Sequence, residues 1–215
     1  MYHYEQLSQL PKKLTVTQIA KSSNARTITT QKVTPRFLSS SEMTPSQKGL
    51  ALHAFMQYAD FSNAKISVKD EINRLFENRF ISKSQADSIN VKKIEAFLQS
   101  GLFNRIMNAS KVYKEYKFNY EIDAGEVFSG IAGEFKDEKI LIQGIADCII
   151  VEENMITIID YKTDYESSQQ VLINRYQNQL QIYKQALQQE LQMPVRECLL
   201  YSTHLETQIS VSANN

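Results

Sequence analysis

Two apolar runs in this sequence are interrupted by charge. "ITIIDYKTD", Ile156 to Asp164, ends a β-branched stretch with Asp160 and Lys162 two residues apart, and "GIADCIIV", from Gly144, carries Asp147 inside an otherwise apolar run. In a strand alternate residues share a face, so Ile156, Ile158, Asp160 and Lys162 point one way while Thr157, Ile159 and Tyr161 point the other. By the same parity Asp147 shares its face with Ile145, Ile149 and Val151. An ionised carboxylate left unpaired there costs on the order of several kcal/mol. A second one on a neighbouring strand adds repulsion unless a cation sits between them. A divalent ion meets that need: Mg²⁺ and Mn²⁺ take hard oxygen ligands and keep positions open for water and a phosphate. Lys162 is then placed to lower the pKa of an attacking water, or to neutralise charge developing on a phosphorus-bound oxygen. The alternative is an Asp147–Lys162 or Asp160–Lys162 ion pair with no chemistry.

The elements that must position these residues are legible from periodicity. Thr44, Pro45 and Gln47 form a helix start with a capping box, predicting a helix from Pro45 to Tyr58 with Leu50, His53, Ala54 and Gln57 along one stripe. Two or three more amphipathic helices are expected between Ser67 and Ala109, one opened by Ser67 with Asp70, and Gly101 ending the segment that contains Ile94, Phe97 and Leu98. After Lys111 the period becomes two: Tyr116, Phe118, Tyr120 and Ile122 alternate with Glu115, Lys117, Asn119 and Glu121 as in a half-buried strand. "ILIQGIADCIIVEEN" and "MITIIDYKT" are two further strands with a turn near Glu153-Asn154, and their apolar character predicts central positions in a sheet. A long helix from about Ser167 to Leu191 follows, with Leu172, Tyr176, Gln179, Tyr183 and Leu187 on one face; "VRECLLYSTHLETQISV" supplies a last strand or hairpin. Helices, three strands, a helix and a strand make an α/β sandwich.

Composition sets the frame. The 215 residues are 42% hydrophobic and 22% charged, enough for one globular domain with a core. Residues 1–50 hold seven Lys/Arg against two Asp/Glu, and the remainder seventeen against twenty-two. The basic, Ser/Thr-rich segment 1–43 reads as an arm or linker ahead of a compact domain 44–215, itself a helical part 44–110 and a sheet core with its long helix 111–215. Such an arm could touch a polyanion or simply be solvated. Cys148 and Cys198 are too few for a disulfide framework or a four-thiolate metal site and read as buried apolar residues. No stretch of 18 consecutive apolar residues occurs and no leader pattern is visible, so no membrane association and a cytoplasmic location are expected. No G-x-x-x-x-G-K-[ST] loop is present, hence no ATP-driven motor in this chain.

With these residues in view, "GIADCIIVEENMITIIDYKTD" followed by "YQNQLQIY" resembles the RecB-type nuclease domain of the PD-(D/E)xK superfamily. "KGLALHAFMQ" is similar to that family's histidine helix and "EYKF" to its Glu-x-Pro-Phe strand. "LPKKLTVTQIAK" through "PRFL" is similar to the segment leading into the C-terminal nuclease domain of the AddA (RexA) subunit of bacterial helicase-nucleases. The resemblance covers essentially the whole chain. It implies the PD-(D/E)xK fold, a central mixed sheet flanked by helices with an N-terminal helical annex. It puts metal ligands at His53, Asp147, Asp160 and the backbone carbonyl of Tyr161, a catalytic lysine at Lys162, and a Gln-x-x-x-Tyr pair at Gln179 and Tyr183 that either bonds the DNA backbone or orients Asp160 and Lys162. Glu115 matches the strand glutamate, but Tyr116-Lys117 departs from the usual apolar-Pro pair, so it is left outside the ligand set. Taken alone, His53 would read as a core histidine.

The resemblance further implies a Mg²⁺- or Mn²⁺-dependent DNA exonuclease acting on single-stranded DNA in double-strand break repair and recombination. It also implies an upstream helicase portion in a longer protein and a second, AddB/RexB-like subunit. The alternative from another class is a catalytically silent nuclease fold used for DNA binding or complex assembly.

Overall fold

The computed structural model describes residues 11–22, 43–128 and 133–211. In chain order these form strand β1 (Lys13–Thr15), helices α1 (Val16–Ser22), α2 (Pro45–Tyr58), α3 (Phe61–Ile66), α4 (Val68–Glu77), α5 (Lys83–Ser88), α6 (Val91–Leu98) and α7 (Gly101–Asn108), strand β2 (Lys111–Asp123), the short helix α8 (Ala124–Val127), strands β3 (Lys139–Glu152) and β4 (Met155–Lys162), helix α9 (Gln169–Leu191), and strands β5 (Val195–Ser202) and β6 (Thr207–Val211). The Ser/Thr-rich stretch of the predicted arm lies outside the described residues. The part of that segment which is described enters the sheet, as β1.

The sheet is mixed. β3 is its centre: β2 runs antiparallel along one edge, from Lys111↔Val151 to Asp123↔Lys139, while the other edge is shared by β1, parallel at Leu141–Gln143, and β4, antiparallel at Cys148–Glu152. β4 then pairs in parallel with β5 and β5 antiparallel with β6. A parallel neighbour requires a crossover, and α9 supplies it. The β3–β4 hairpin turns on Glu153 and Asn154, both at positive φ (50° and 59°), as a two-residue primed turn demands.

Helices cover both faces, which is why β3 and β4 are apolar on both sides. On one face the annex α2–α7 packs Phe55, Leu75, Phe97 and Phe103 against Cys148, Ile150, Ile159, Tyr161 and Tyr201. On the other, Leu172, Leu180, Tyr183 and Leu187 of α9 cover Ile149, Ile156, Ile158 and Leu200. The alternation expected within β4 is therefore the observed one.

Local signals set most boundaries. Thr44 Oγ1 accepts from the Gln47 N–H at 3.3 Å while Gln47 Oε1 accepts from the Thr44 N–H at 2.8 Å, closing the capping box at α2, and Ser67 caps α4 through the Asp70 N–H. Three expectations need correction. Four helices, not two or three, lie between Ser67 and Ala109. Gly101 opens α7 rather than ending α6, because Ser100 Oγ accepts from the Phe103 N–H and caps a new helix two residues after Leu98. In α2 the buried residues are Gly49, Ala51, Leu52, Phe55 and Met56, whereas Leu50 is 63% exposed, so the stripe through Leu50 and His53 is not the core stripe. His53 is thereby freed to face the sheet's edge.

Gly144 shows how tightly the α9 face is fitted. It sits directly across the ladder from Phe118, whose ring lies over it, and a Cβ at that position would come within 2.1 Å of Phe118 Cζ. The same ring meets Tyr183 edge-on at 5.4 Å. Gly144→Ala should destabilise the domain by about 1–3 kcal/mol, as overpacking does, and displace Tyr183 with Phe118. Thermal melting checks this; an unchanged midpoint would mean that Phe118 swings away without cost.

Candidate active site

The β3–β4 ladder ends at Cys148↔Ile159. One register step further, Asp147 and Asp160 would be opposite each other, but β4 continues instead along β5, pairing Asp160 with Leu200 and Lys162 with Ser202. The strands splay, and a side chain bridges the gap: the Tyr161 N–H donates to Asp147 Oδ2 at 2.8 Å.

Three elements bring side chains to this mouth. From α2, His53 places Nδ1 3.4 Å from Asp147 Oδ2. The close approach of α2 depends on Gly49, one turn earlier, where a Cβ would stand 2.8 Å from Thr163 Oγ1. From β2 comes Glu115, which faces Asp147 across the register between Lys114↔Cys148 and Tyr116↔Ala146 and adopts φ 51°, a left-handed conformation unusual for a residue with a side chain. His53, Glu115 and Asp147 each offer a ligand atom, and these atoms lie within 4.8 Å of one another. From α9, Gln179 Nε2 donates to Asp160 Oδ1 at 3.2 Å and to the Tyr183 hydroxyl at 2.9 Å, and that hydroxyl donates to the Ile145 carbonyl at 2.8 Å. Gln179 is thus held by the backbone of β3 and in turn holds Asp160.

Asp160 does not join the His53–Glu115–Asp147 group. Its Oδ2 is buried without a regular hydrogen bond and lies 2.5 Å from Lys162 Nζ in ionic contact. The lysine is almost as enclosed, and its ammonium also sits 3.9 Å over the ring of Tyr176, whose hydroxyl donates to Asp164. Of the two ion pairs open from sequence, the structure forms Asp160–Lys162.

The electrostatics are those of crowded carboxylates. Burial pushes Asp160 up to about 6, with Asp147 adding to the rise and Lys162 opposing it. Glu115 is raised by burial and by Asp147. Burial works against a charged His53, yet its hydrogen bond to Asp147 and the charges of Asp147 and Asp160 raise it above the usual histidine value. Lys162 is likewise raised, its burial outweighed by Asp160. The region attracts protons, and for the same reason it suits a divalent cation.

All seven residues singled out from sequence, His53, Asp147, Asp160, Tyr161, Lys162, Gln179 and Tyr183, belong to this end of the sheet. Glu115, left outside the ligand set, is brought into it. Directly opposed residues in an antiparallel pair point to the same side, so registering β2 on β3 at Glu115 and Asp147 is the signal that finds it.

The model of the PD-(D/E)XK nuclease superfamily matches residues 26–210. This chain belongs to that superfamily. The nuclease domain is 34% identical over 222 residues to the AddA polypeptide of the ATP-dependent helicase/nuclease of Clostridium botulinum strain Hall, covering 98% of this chain and 17% of that protein. It is 32% identical to the polypeptide of the same name from Clostridium acetobutylicum, covering 93% of this chain and 17% of the relative. The chain therefore spans about a sixth of the length of these relatives. The crystal structure of SSO0001 aligns over 98% of this chain and 72% of its own at 16% identity with a TM-score of 0.41; the family assignment rests on the family match. Among the described residues no helix is long and apolar enough to cross a membrane.

Proposed function

We propose that the nuclease domain hydrolyses phosphodiesters of single-stranded DNA as a Mg²⁺- or Mn²⁺-dependent exonuclease. The observation that carries this reading is the convergence of His53, Glu115 and Asp147 within 4.8 Å beside the buried Asp160–Lys162 pair. The donor set fits a hard divalent cation: carboxylate oxygens, one imidazole and no thiolate. His53, Asp147 and Asp160 would hold the ion with the Tyr161 carbonyl, and Glu115 is close enough to contribute. Bound there, the ion would supply Lewis-acid polarisation of a phosphoryl oxygen and acidify a water.

The chain's own residues do the rest. Asp160 keeps Lys162 charged, and Lys162 offers its ammonium to the attacking water or to the oxygen on which negative charge accumulates. Tyr176 closes one side of the ammonium against solvent. Gln179, braced by Tyr183, fixes the Asp160 carboxylate so that neither charge need reorganise during reaction.

The names of the relatives support the wider setting: a nuclease part of an ATP-dependent helicase-nuclease, with the helicase in the remainder of a longer cytoplasmic protein and an AddB/RexB-like partner. A helicase yields single strands, which makes single-stranded DNA the natural substrate and processing of double-strand breaks for recombination the natural role. The near balance of charge, 24 basic against 24 acidic residues, fits a domain to which substrate is delivered.

Digestion of end-labelled single-stranded DNA, with and without chelator, tests this proposal. Cleavage should require Mg²⁺ or Mn²⁺ and fall as pH drops through about 6, because Asp160 must be ionised and His53 neutral to bind metal. The metal-free domain should respond oppositely. Asp160 titrates higher folded than unfolded, so protonation favours the fold, and the melting temperature should rise as pH falls from about 8 towards 5. Cleavage that survives chelation would remove the basis of the proposal.

A further inference from the structure

Beyond the reactive carboxylates, three elements converge on one exposed aromatic side chain. Tyr165 follows Lys162 by three residues and is 87% exposed, the most exposed of the large apolar and aromatic residues in the described structure. It is not a loose side chain on a loose loop. Its two neighbours are both held by Arg175 of α9: Asp164 at 2.6 Å, which also accepts from the Tyr176 hydroxyl, and Glu166 at 3.7 Å. The Tyr165 ring lies against the imidazole of His204, centroids 4.2 Å apart and planes inclined by 34°. His204 is carried by the β5–β6 turn, which is tied to the active site because the Thr203 N–H donates to the Lys162 carbonyl at 2.9 Å. From α6, Lys93 brings its ammonium 5.5 Å from the Tyr165 ring centroid.

The core needs none of this. A ring so exposed contributes little burial, and single exposed apolar residues call for no explanation. Here, however, the ring is fixed on both flanks, paired with a second planar ring, accompanied by a cation, and connected to Lys162 by a span of at most about 11 Å of chain. An aromatic pair with an adjacent lysine is the chemistry that receives a nucleobase and its phosphate: the base stacks on the ring, sequence-tolerantly, and the ammonium neutralises the backbone. Because Arg175 and the β5–β6 turn hold the platform in advance, binding does not have to order it.

We infer that Tyr165 and His204, with Lys93, form a nucleobase-stacking subsite that holds a base of the single strand close to the phosphate being cut. This deepens the reading of the domain as a single-strand nuclease and rests on it for the choice of ligand.

The test separates stacking from phosphate attraction and from cleavage. Wild type and Tyr165→Leu are titrated in chelator, where nothing is cut, with a fluorescent oligothymidylate and with an abasic oligonucleotide of the same length. The wild type should prefer the base-bearing strand by about 10-fold, a typical stacking contribution. Tyr165→Leu should lose that preference while its affinity for the abasic strand stays the same, and Tyr165→Trp should retain it. Lys93→Ala should weaken both strands alike and lower the salt dependence. Equal or immeasurable affinity of the wild type for the two strands, or a Tyr165→Leu variant that weakens both equally, would overturn the subsite. Neither result bears on metal-dependent cleavage, and a wild type that fails to cleave would leave a base preference measurable.

Discussion

Asp147→Asn should reduce cleavage to background while leaving the metal-free domain at least as stable as the wild type. Asparagine keeps the size of the side chain and an oxygen to accept from the Tyr161 N–H, so the bridge across the splayed strands survives. What disappears is one of three carboxylates crowded around His53. Asp147 raises both Asp160 and Glu115, so its neutralisation relieves repulsion within the metal-free fold, and it also removes the charge that holds His53 above its usual value. Metal affinity suffers for the same reason that metal-free stability does not: the cation is what the crowded charges were arranged to receive. In the wild type, Mn²⁺ at about 100 times its dissociation constant should stabilise the fold by about 2.7 kcal/mol, and in Asp147→Asn most of that gain should vanish. Melting curves with and without Mn²⁺, run beside single-turnover cleavage, give both readings. Wild-type cleavage by this variant would exclude Asp147 from the reactive centre.

Lys162→Met should lower the single-turnover rate by roughly 10²–10³-fold, the usual loss when one preorganised stabilising group is removed. Metal binding should persist or tighten, since a positive charge next to the site is gone. The structure adds a consequence for stability. Lys162 lies 2.5 Å from a carboxylate only 3% exposed, and removing one member of a buried pair costs about 3–5 kcal/mol when the other stays charged. Asp160, already near 6, should escape part of that cost by taking a proton at neutral pH. The metal-free variant should therefore be less stable at pH 8 than at pH 6 by a wider margin than the wild type. The double variant Asp160→Asn/Lys162→Met should recover stability but not activity, because two neutral groups of similar size leave no buried charge unpaired. Wild-type cleavage by Lys162→Met would reduce the lysine to a structural counter-ion.

Much of this protein is written locally in its sequence. The interrupted apolar runs around Asp147 and Asp160 marked the chemistry because a carboxylate in an apolar strand is costly and needs a reason, and parity alone assigned Asp160 and Lys162 to the same face. Capping residues fixed α2 and α4, and the Gly/Ser step at residues 100–101 was misjudged only because a glycine that ends one helix and a glycine that follows the cap of the next look alike without the Ser100 hydrogen bond. Tertiary structure decided what depends on register and approach. Whether Lys162 pairs with Asp147 or Asp160 is open in sequence, and it is settled by β4 leaving β3 to follow β5. That Glu115 faces Asp147 follows from β2 lying on β3 without a shift, at the one residue whose backbone turns left-handed. That His53 reaches Asp147 follows from Gly49 letting α2 approach Thr163. And the Tyr165–His204 pair joins residues 39 positions apart, brought together because the β5–β6 turn hydrogen-bonds to the carbonyl of Lys162. Periodicity reports which side of an element a residue occupies; only packing decides which other element it meets there.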